Sequence, residues 1–459
     1  MGYLRLSRSF VVFFAIISPT RAQQLSLTLR QAVQRSLEEY PAIRSSVEKV
    51  SAAAAGINLA RTAYLPRADF LGQENRATHN NVFGLLLPQF VLPSISGPAQ
   101  GTNSLSNVWG SAVGTLVSWE PFDFGLRQAS VENAKAIRNR AAAEVNVTKF
   151  QTATAAADAF LTIAAAEQMV IAAGAGVERA RVIYQVIETL ATNQLRPGAD
   201  ASRSRAELAF AQTQEIEAEQ ALDVARAALG QLLSVNPGRI TIEPASLLRP
   251  PPKTDLSSES ATQHPLALEE KAEIAEIKTR EHELDRSYYP RFFLEGSVYG
   301  RGTGIHPDGR VGGVASGLAP NIQDWAVGLN VTFPVLDWFS IHAKRQIEVH
   351  NELSASARYD QILQDVNGEI AKAAATLRGA VRVAQNTPIQ LEAARATEQQ
   401  ASARYRTGLG NISEVAEAQR LLTQAEIDDS LARLGVWRAL LGVAAAQGDL
   451  TPFLTLADQ

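Results

Sequence analysis

Two stretches of the chain follow one plan. One starts at Tyr40-Pro41 and the other at His264-Pro265, and each reads as a helix. Each then reaches a second proline, Pro66 or Pro290, 25 residues further on. Around it, Leu65-Pro66-Arg67-Ala68-Asp69-Phe70-Leu71-Gly72 lies over Tyr289-Pro290-Arg291-Phe292-Phe293-Leu294-Glu295-Gly296 without a gap. The chain is a tandem duplication, and two copies of one plan predict a pseudo-symmetric body closing around an axis.

Residues 1–22 read as a signal peptide. Arg5 and Arg8 precede the short apolar run Phe10–Ile17, and Thr20-Arg21-Ala22 offers a small-x-small cleavage site. Loss of its three arginines takes the formal charge from −4 to −7 (40 basic against 47 acidic residues). With no cysteine, disulfides, thiolate metal sites and a lipid-modified N-terminal cysteine are excluded. No run of 18 apolar residues follows residue 22, so no transmembrane helix is expected. The exported chain is then soluble in the periplasm or held in a membrane as a β-barrel.

The first repeat takes residues 23–250, a Pro-rich link 251–263, the second repeat 264–448, and a tail 449–459. Within each repeat the expected order is helix (28–61; 265–285), two strands parted by a long loop, a very long helix (128–192; 342–405), a tight turn and a return helix (201–233; 413–446). The long stretches are proline-free except for Pro388 and rich in Ala, Glu, Gln and Arg, which favour helix. Sixty-five helical residues extend roughly 100 Å, which calls for coiled-coil-like packing. Leu434, Trp437, Leu441 and Ala444 step by 3, 4 and 3, as such a seam requires. A soluble helical bundle fits the helices equally well.

The strands separate the two readings. In β-strand geometry Trp325, Val327, Leu329, Val331 and Phe333 make one apolar face, and Trp109 to Trp119 a more mixed one with Trp at both ends. Length, alternation and aromatic ends suit a membrane strand. Trp109, Trp119, Trp325 and Phe333 are the expected interface anchors. Four strands cannot close a barrel and an open edge is not tolerated in lipid, so either the sheet is soluble or several chains pool strands. The long inter-strand segments, 75–107 and 300–321, suit an outer-membrane barrel.

These features, in this order in both halves, resemble the TolC-type outer-membrane efflux proteins. The residues that carry the resemblance are the two Leu/Tyr-Pro-strand units and the junctions Trp119-Glu120-Pro121-Phe122-Asp123-Phe124-Gly125 and Phe333-Pro334-Val335-Leu336-Asp337-Trp338. The turn Tyr405-Arg406-Thr407-Gly408-Leu409-Gly410 ahead of Glu414 and Glu417 completes the set. The resemblance implies a mainly α fold with a membrane β-barrel part. Duplicated long-helix hairpins would form an α-barrel, and four strands per chain a shared twelve-stranded trimeric barrel. It implies a homotrimer in the outer-membrane lipid, a large periplasmic part, a periplasmic adaptor and an inner-membrane pump. The function implied is a passive export duct of a tripartite efflux or type I secretion system, with no catalysis and no cofactor. The competing reading is a soluble periplasmic coiled-coil scaffold or adaptor.

Both helix-to-helix turns, 195–200 and 406–411, are expected at the periplasmic tip, each with a left-handed glycine ending one helix and Asp or Ser starting the next. Arg196, Gly198, Tyr405, Arg406, Gly408 and Leu409 are candidate tip and adaptor contacts. Aligning Gly198 with Gly408 leaves the register of the first turn open. Glu414 and Glu417 lie one turn apart on one face, and the resemblance implies an acidic ring at the entrance. On residues alone they are two solvated glutamates. The six histidines lack metal-ligand spacing, the glycine-rich run 300–304 opens no helix, and the mild negative charge argues against nucleic acid.

Overall fold

The computed structural model describes residues 25–78, 106–244, 246–249, 251, 260–306, 308 and 310–458. The expected signal peptide, the loop core 79–105 and most of the Pro-rich link lie outside them.

The chain divides into two compact units, and each draws on both repeats. The described residues within 1–41, 149–259 and 368–459 form one; those within 42–148 and 260–367 form the other.

The first unit contains β1 (Leu25–Leu27) and α1 (Leu29–Glu39), and the later part of α3 (Leu126–Thr192). It also contains α4 (Gly198–Leu233), β4 (Ile240–Ile242), the later part of α6 (Trp338–Arg406), α7 (Ile412–Gln447) and α8 (Thr451–Ala457). The predicted helix 28–61 is broken at Tyr40 (ψ 123°), because a residue before proline is pushed out of the helical region; α1 stops there and α2 (Pro41–Thr62) restarts. Thr28 and Gln31 form a capping box on α1.

The core of this unit is alanine-rich. Ala156, Ala157, Phe160, Leu161, Ile163 and Ala164 of α3 meet Leu229 and Leu233 of α4 and the seam Leu434, Trp437, Leu441 and Ala444 of α7, all buried. Small side chains let helices approach closely, and Phe160, Leu229 and Phe453 fill what remains. Phe453 belongs to α8, so the tail 449–459 is a helix packed into the core, tied by Arg30–Asp458 and by Ser246 Oγ donating to the Ala457 carbonyl at 2.7 Å. The strands β1 and β4 pair in parallel beside it. One window of α3 reaches a mean hydropathy of 1.6, long and apolar enough to cross a membrane by composition, and 44% of it is buried inside the protein. The helix α6 continues through Pro388, next to Thr387, which donates to buried Asp429 at 3.1 Å.

The second unit holds α2, the opening parts of α3 and α6, α5 (Pro265–Arg286) and a four-stranded antiparallel sheet. Its strands are β2 (Arg67–Thr78), β3 (Asn107–Phe122), β5 (Arg291–Thr303) and β6 (Ile322–Thr332), in the order β2-β3-β5-β6. Thr115 stands opposite Phe70 and Val298, and Val298 opposite Trp325. One face therefore carries Phe70, Val113, Val117, Leu294, Val298, Trp325, Val327, Leu329 and Val331, all exposed. The other holds Asp69, Ser118, Glu295, Ser297 and the Arg301–Asp324 ion pair at 2.6 Å. Pairing of β3 with β5 slips by one residue between Trp119 and Phe122, at Pro121, which has no N–H for the ladder. The sheet is open: β2 and β6 are its edges.

Ion pairs hold the helices of this unit. Arg140 of α3 reaches Glu273 (2.8 Å) and Glu276 (3.5 Å) of α5. Arg345 of α6 reaches Glu281 (3.0 Å) and Asp285 (2.8 Å). Among the described residues the hydrophobic clusters all lie in the first unit.

Candidate functional site: two matched helix turns

Both turns between long helices belong to the first unit. At the second, α6 ends at Arg406, Gly408 takes φ +80°, and α7 begins at Ile412. The Leu409 N–H donates to the Arg404 carbonyl (2.9 Å) and that of Gly408 to Tyr405 (3.1 Å), which closes the helix end. Asn411, not Ser413, caps α7: its Oδ1 accepts from the Glu414 N–H at 2.9 Å.

At the first turn the left-handed residue is Gln194, at φ +57°, not Gly198. Leu195 N–H donates to Leu190 O (2.8 Å) and Gln194 N–H to Ala191 O (3.0 Å), the same two bonds as in the second turn. Gly198 is the first residue of α4, and Pro197 precedes it with no side-chain cap. The left-handed glycine expected at both turns is therefore found only at the second, and Gln194 sets the register that the sequence left open at the first. The closing hydrogen bonds, not residue type, select the left-handed position, and a glutamine takes it at a cost of about 1–2 kcal/mol. Leu195 thus matches Leu409, and both are exposed, at 70% and 73%. Leu195 falls outside the expected contacts because a glycine, unlike a glutamine, signals a left-handed turn.

The two turns meet through Arg196 and Tyr405. The guanidinium lies 4.8 Å from the ring centroid and donates to the Tyr405 carbonyl at 3.2 Å. Tyr405 is buried with Ile187, Ile412 and Val415, and its hydroxyl finds no hydrogen-bond partner among the described residues. Burial pushes its phenol pKa up, Arg196 opposes this and Asp200 adds to it. A few residues beyond the turn, Arg420 of α7 pairs with Glu207 of α4 (2.5 Å) and stacks on Phe210.

Glu414 and Glu417 are both exposed. Glu414 turns back on its own helix start, where the Asn411 side-chain amide donates to it at 3.2 Å. No ion pair of Glu417 or Arg406 is found among the described residues. Nor is there a cluster of three or more metal-ligating side chains among them.

In the second unit, Trp119 donates its indole N–H to the Tyr64 carbonyl at 3.0 Å, and Trp109 lies under Arg76. Trp325 sits two strands away, level in register with Thr115 rather than Trp109, and Phe333 falls one residue beyond β6. The junction after β3 is fixed by Asp123. Its carboxylate accepts from the backbone of Gly125 (3.1 Å) and Arg127 (2.7 Å) and pairs with the buried Arg127 guanidinium at 2.8 Å. Burial raises its pKa, but these bonds outweigh it and the net shift is down. Arg127 in turn stacks on Tyr64.

Residues 32–235 and 300–449 match the family model described as outer membrane efflux protein. The chain belongs to the outer membrane efflux protein family. It is thus an export channel of the outer membrane and not an enzyme. No curated protein matches it by sequence. Its fold is similar to that of solved outer-membrane channels. The CmeC channel of Campylobacter jejuni is 16% identical over 92% of this chain and 85% of that one, with a TM-score of 0.71. VceC of Vibrio cholerae is 15% identical over 92% and 96%, with a TM-score of 0.69. The open state of Neisseria gonorrhoeae MtrE is 17% identical over 94% and 93%, with a TM-score of 0.66.

Proposed function

We propose that the protein is a passive homotrimeric duct, in which each chain lends four strands to a twelve-stranded barrel and its long helices to a periplasmic tunnel. The observation that carries this is the open sheet with an exposed apolar face. An edge strand in hydrocarbon leaves N–H and C=O groups unpaired, at several kcal/mol each. Pairing β2 of one copy with β6 of the next satisfies both edges, and three copies reach twelve strands, above the eight of the smallest barrels. The apolar face then meets lipid and the Arg301–Asp324 face the lumen. Trp109, Trp119, Trp325 and Phe333 anchor the barrel at the bilayer interfaces.

The matched turns form the periplasmic tip. Arg196, Gly198, Tyr405, Arg406, Gly408 and Leu409, joined by Leu195, meet a periplasmic adaptor that links the duct to an inner-membrane pump. Glu414 and Glu417 from three copies line the entrance and favour cations. The pump supplies the energy.

Native mass measurement of the detergent-extracted protein, with cysteines introduced on β2 and β6, tests this. The expected result is a trimer whose disulfides link β2 to β6 between copies. A monomer, or cross-links only within one chain, would refute it.

A further inference from the structure

The hairpins α3–α4 and α6–α7 match residue for residue at a constant offset. The left-handed turn residues are Gln194 and Gly408, and the left-handed residues that end the return helices are Ser234 and Gly448. Both pairs differ by 214, and both return helices have 36 residues. Ser204 and Ala418, also 214 apart, are each 3% exposed, so the two helices turn the same face inward.

Carried along α4, the offset places Asp200 at the position of Glu414 and Arg203 at that of Glu417. One member of the pair keeps its charge and the other reverses it. Arg203 and Glu417 are both exposed, and neither has an ion pair among the described residues. In the turns, the duplicated geometry is kept while the charge is not.

We infer that Arg203 is the first hairpin's contribution to the entrance ring, where it tempers the carboxylates and sets a weaker cation preference than the glutamates alone would give. The inference rests on the trimeric-duct reading. Three copies supply six hairpins, which alternate around the axis and bring Asp200/Arg203 between neighbouring Glu414/Glu417 pairs. Each chain then contributes Asp200, Arg203, Glu414 and Glu417, a net −2 (three acidic, one basic). Opposite charges at equivalent positions attract across the hairpin boundary and reduce the repulsion among like charges. Cations as a class, not one bound ion, are what such a ring sorts.

The test is the reversal potential of the full-length protein in planar bilayers under a KCl gradient. Arg203→Gln should raise the cation-to-anion permeability ratio roughly two- to fivefold, the scale of one exposed charge pair. Glu417→Gln should lower it by a similar factor, Arg203→Lys should leave it unchanged, and the double reversal Arg203→Glu with Glu417→Arg should return it toward wild type. If glutamate substitutions shift the ratio and Arg203→Gln does not, Arg203 lies off the path and the inference fails while the acidic ring stands. If no substitution shifts it, the ring and this inference fail and the duct remains. A protein that never conducts removes the duct reading along with both.

Discussion

Tyr405 and Arg196 show what single residues contribute at the tip. A buried hydroxyl without a partner is a liability, since its desolvation is not compensated. Tyr405→Phe keeps the ring under Arg196 and is expected to leave thermal stability unchanged or higher, whereas Arg196→Ala removes the contact between the turns and should lower it. A second residue-scale case is Glu270, buried on α5 with one oxygen unbonded and Arg358 4.0 Å away. Burial and then Glu273 raise its pKa, with Glu269 adding and Arg358 and Arg140 opposing. The folded chain therefore takes up this proton more readily than the unfolded one. The penalty is full above the raised value and relieved as pH falls to the ordinary glutamate range. Glu270→Gln should melt higher than wild type at neutral pH, with the gap closing in acid; a constant gap would contradict this. The family resemblance, not spacing alone, singles out Glu414 and Glu417, and neither shows Glu414 bonded to Asn411. Gln194 was illegible for a different reason, because nothing in a glutamine's chemistry announces a left-handed backbone.

At the scale of elements, the junction from β3 to α3 concentrates the structure's polar investment. Asp123 stands three residues ahead of α3 and accepts from its first turn, and its pairing with Arg127 at 8% exposure for both side chains depends on the fold around Tyr64. Breaking a buried pair by removing one partner costs about 3–5 kcal/mol, so Asp123→Ala should destabilise by that order. Because the Asp123 pKa is lowered, its contribution is present above the ordinary aspartate range and lost as pH falls through the lowered value. Wild type and Asp123→Ala melting points should therefore converge only in strong acid. The long helices were legible from composition to within a few residues, since propensity and seam agree over many turns. The expected helix 28–61 misses the break at Tyr40, which Pro41 imposes. The Trp119–Phe122 bulge was also missed, since register depends on the partner strand.

For the whole molecule, duplication was the clearest sequence signal, yet each compact unit combines pieces of both repeats. Self-similarity identifies what is repeated and says nothing about which copies pack together. The apolar strand face was legible by alternation. The other face acquires its meaning only once Arg301 and Asp324 meet across β5 and β6. If Val327 and Leu329 face lipid, Val327→Arg should cost about 2–4 kcal/mol of barrel stability near the bilayer midplane, read as reduced recovery in the outer membrane. A soluble sheet would tolerate it. The most direct test of the duct is the conductance of the purified protein in planar bilayers without nucleotide or pump. Steady, ohmic single channels are expected from the trimer. Monodisperse protein that inserts into the bilayer and carries no current would contradict it.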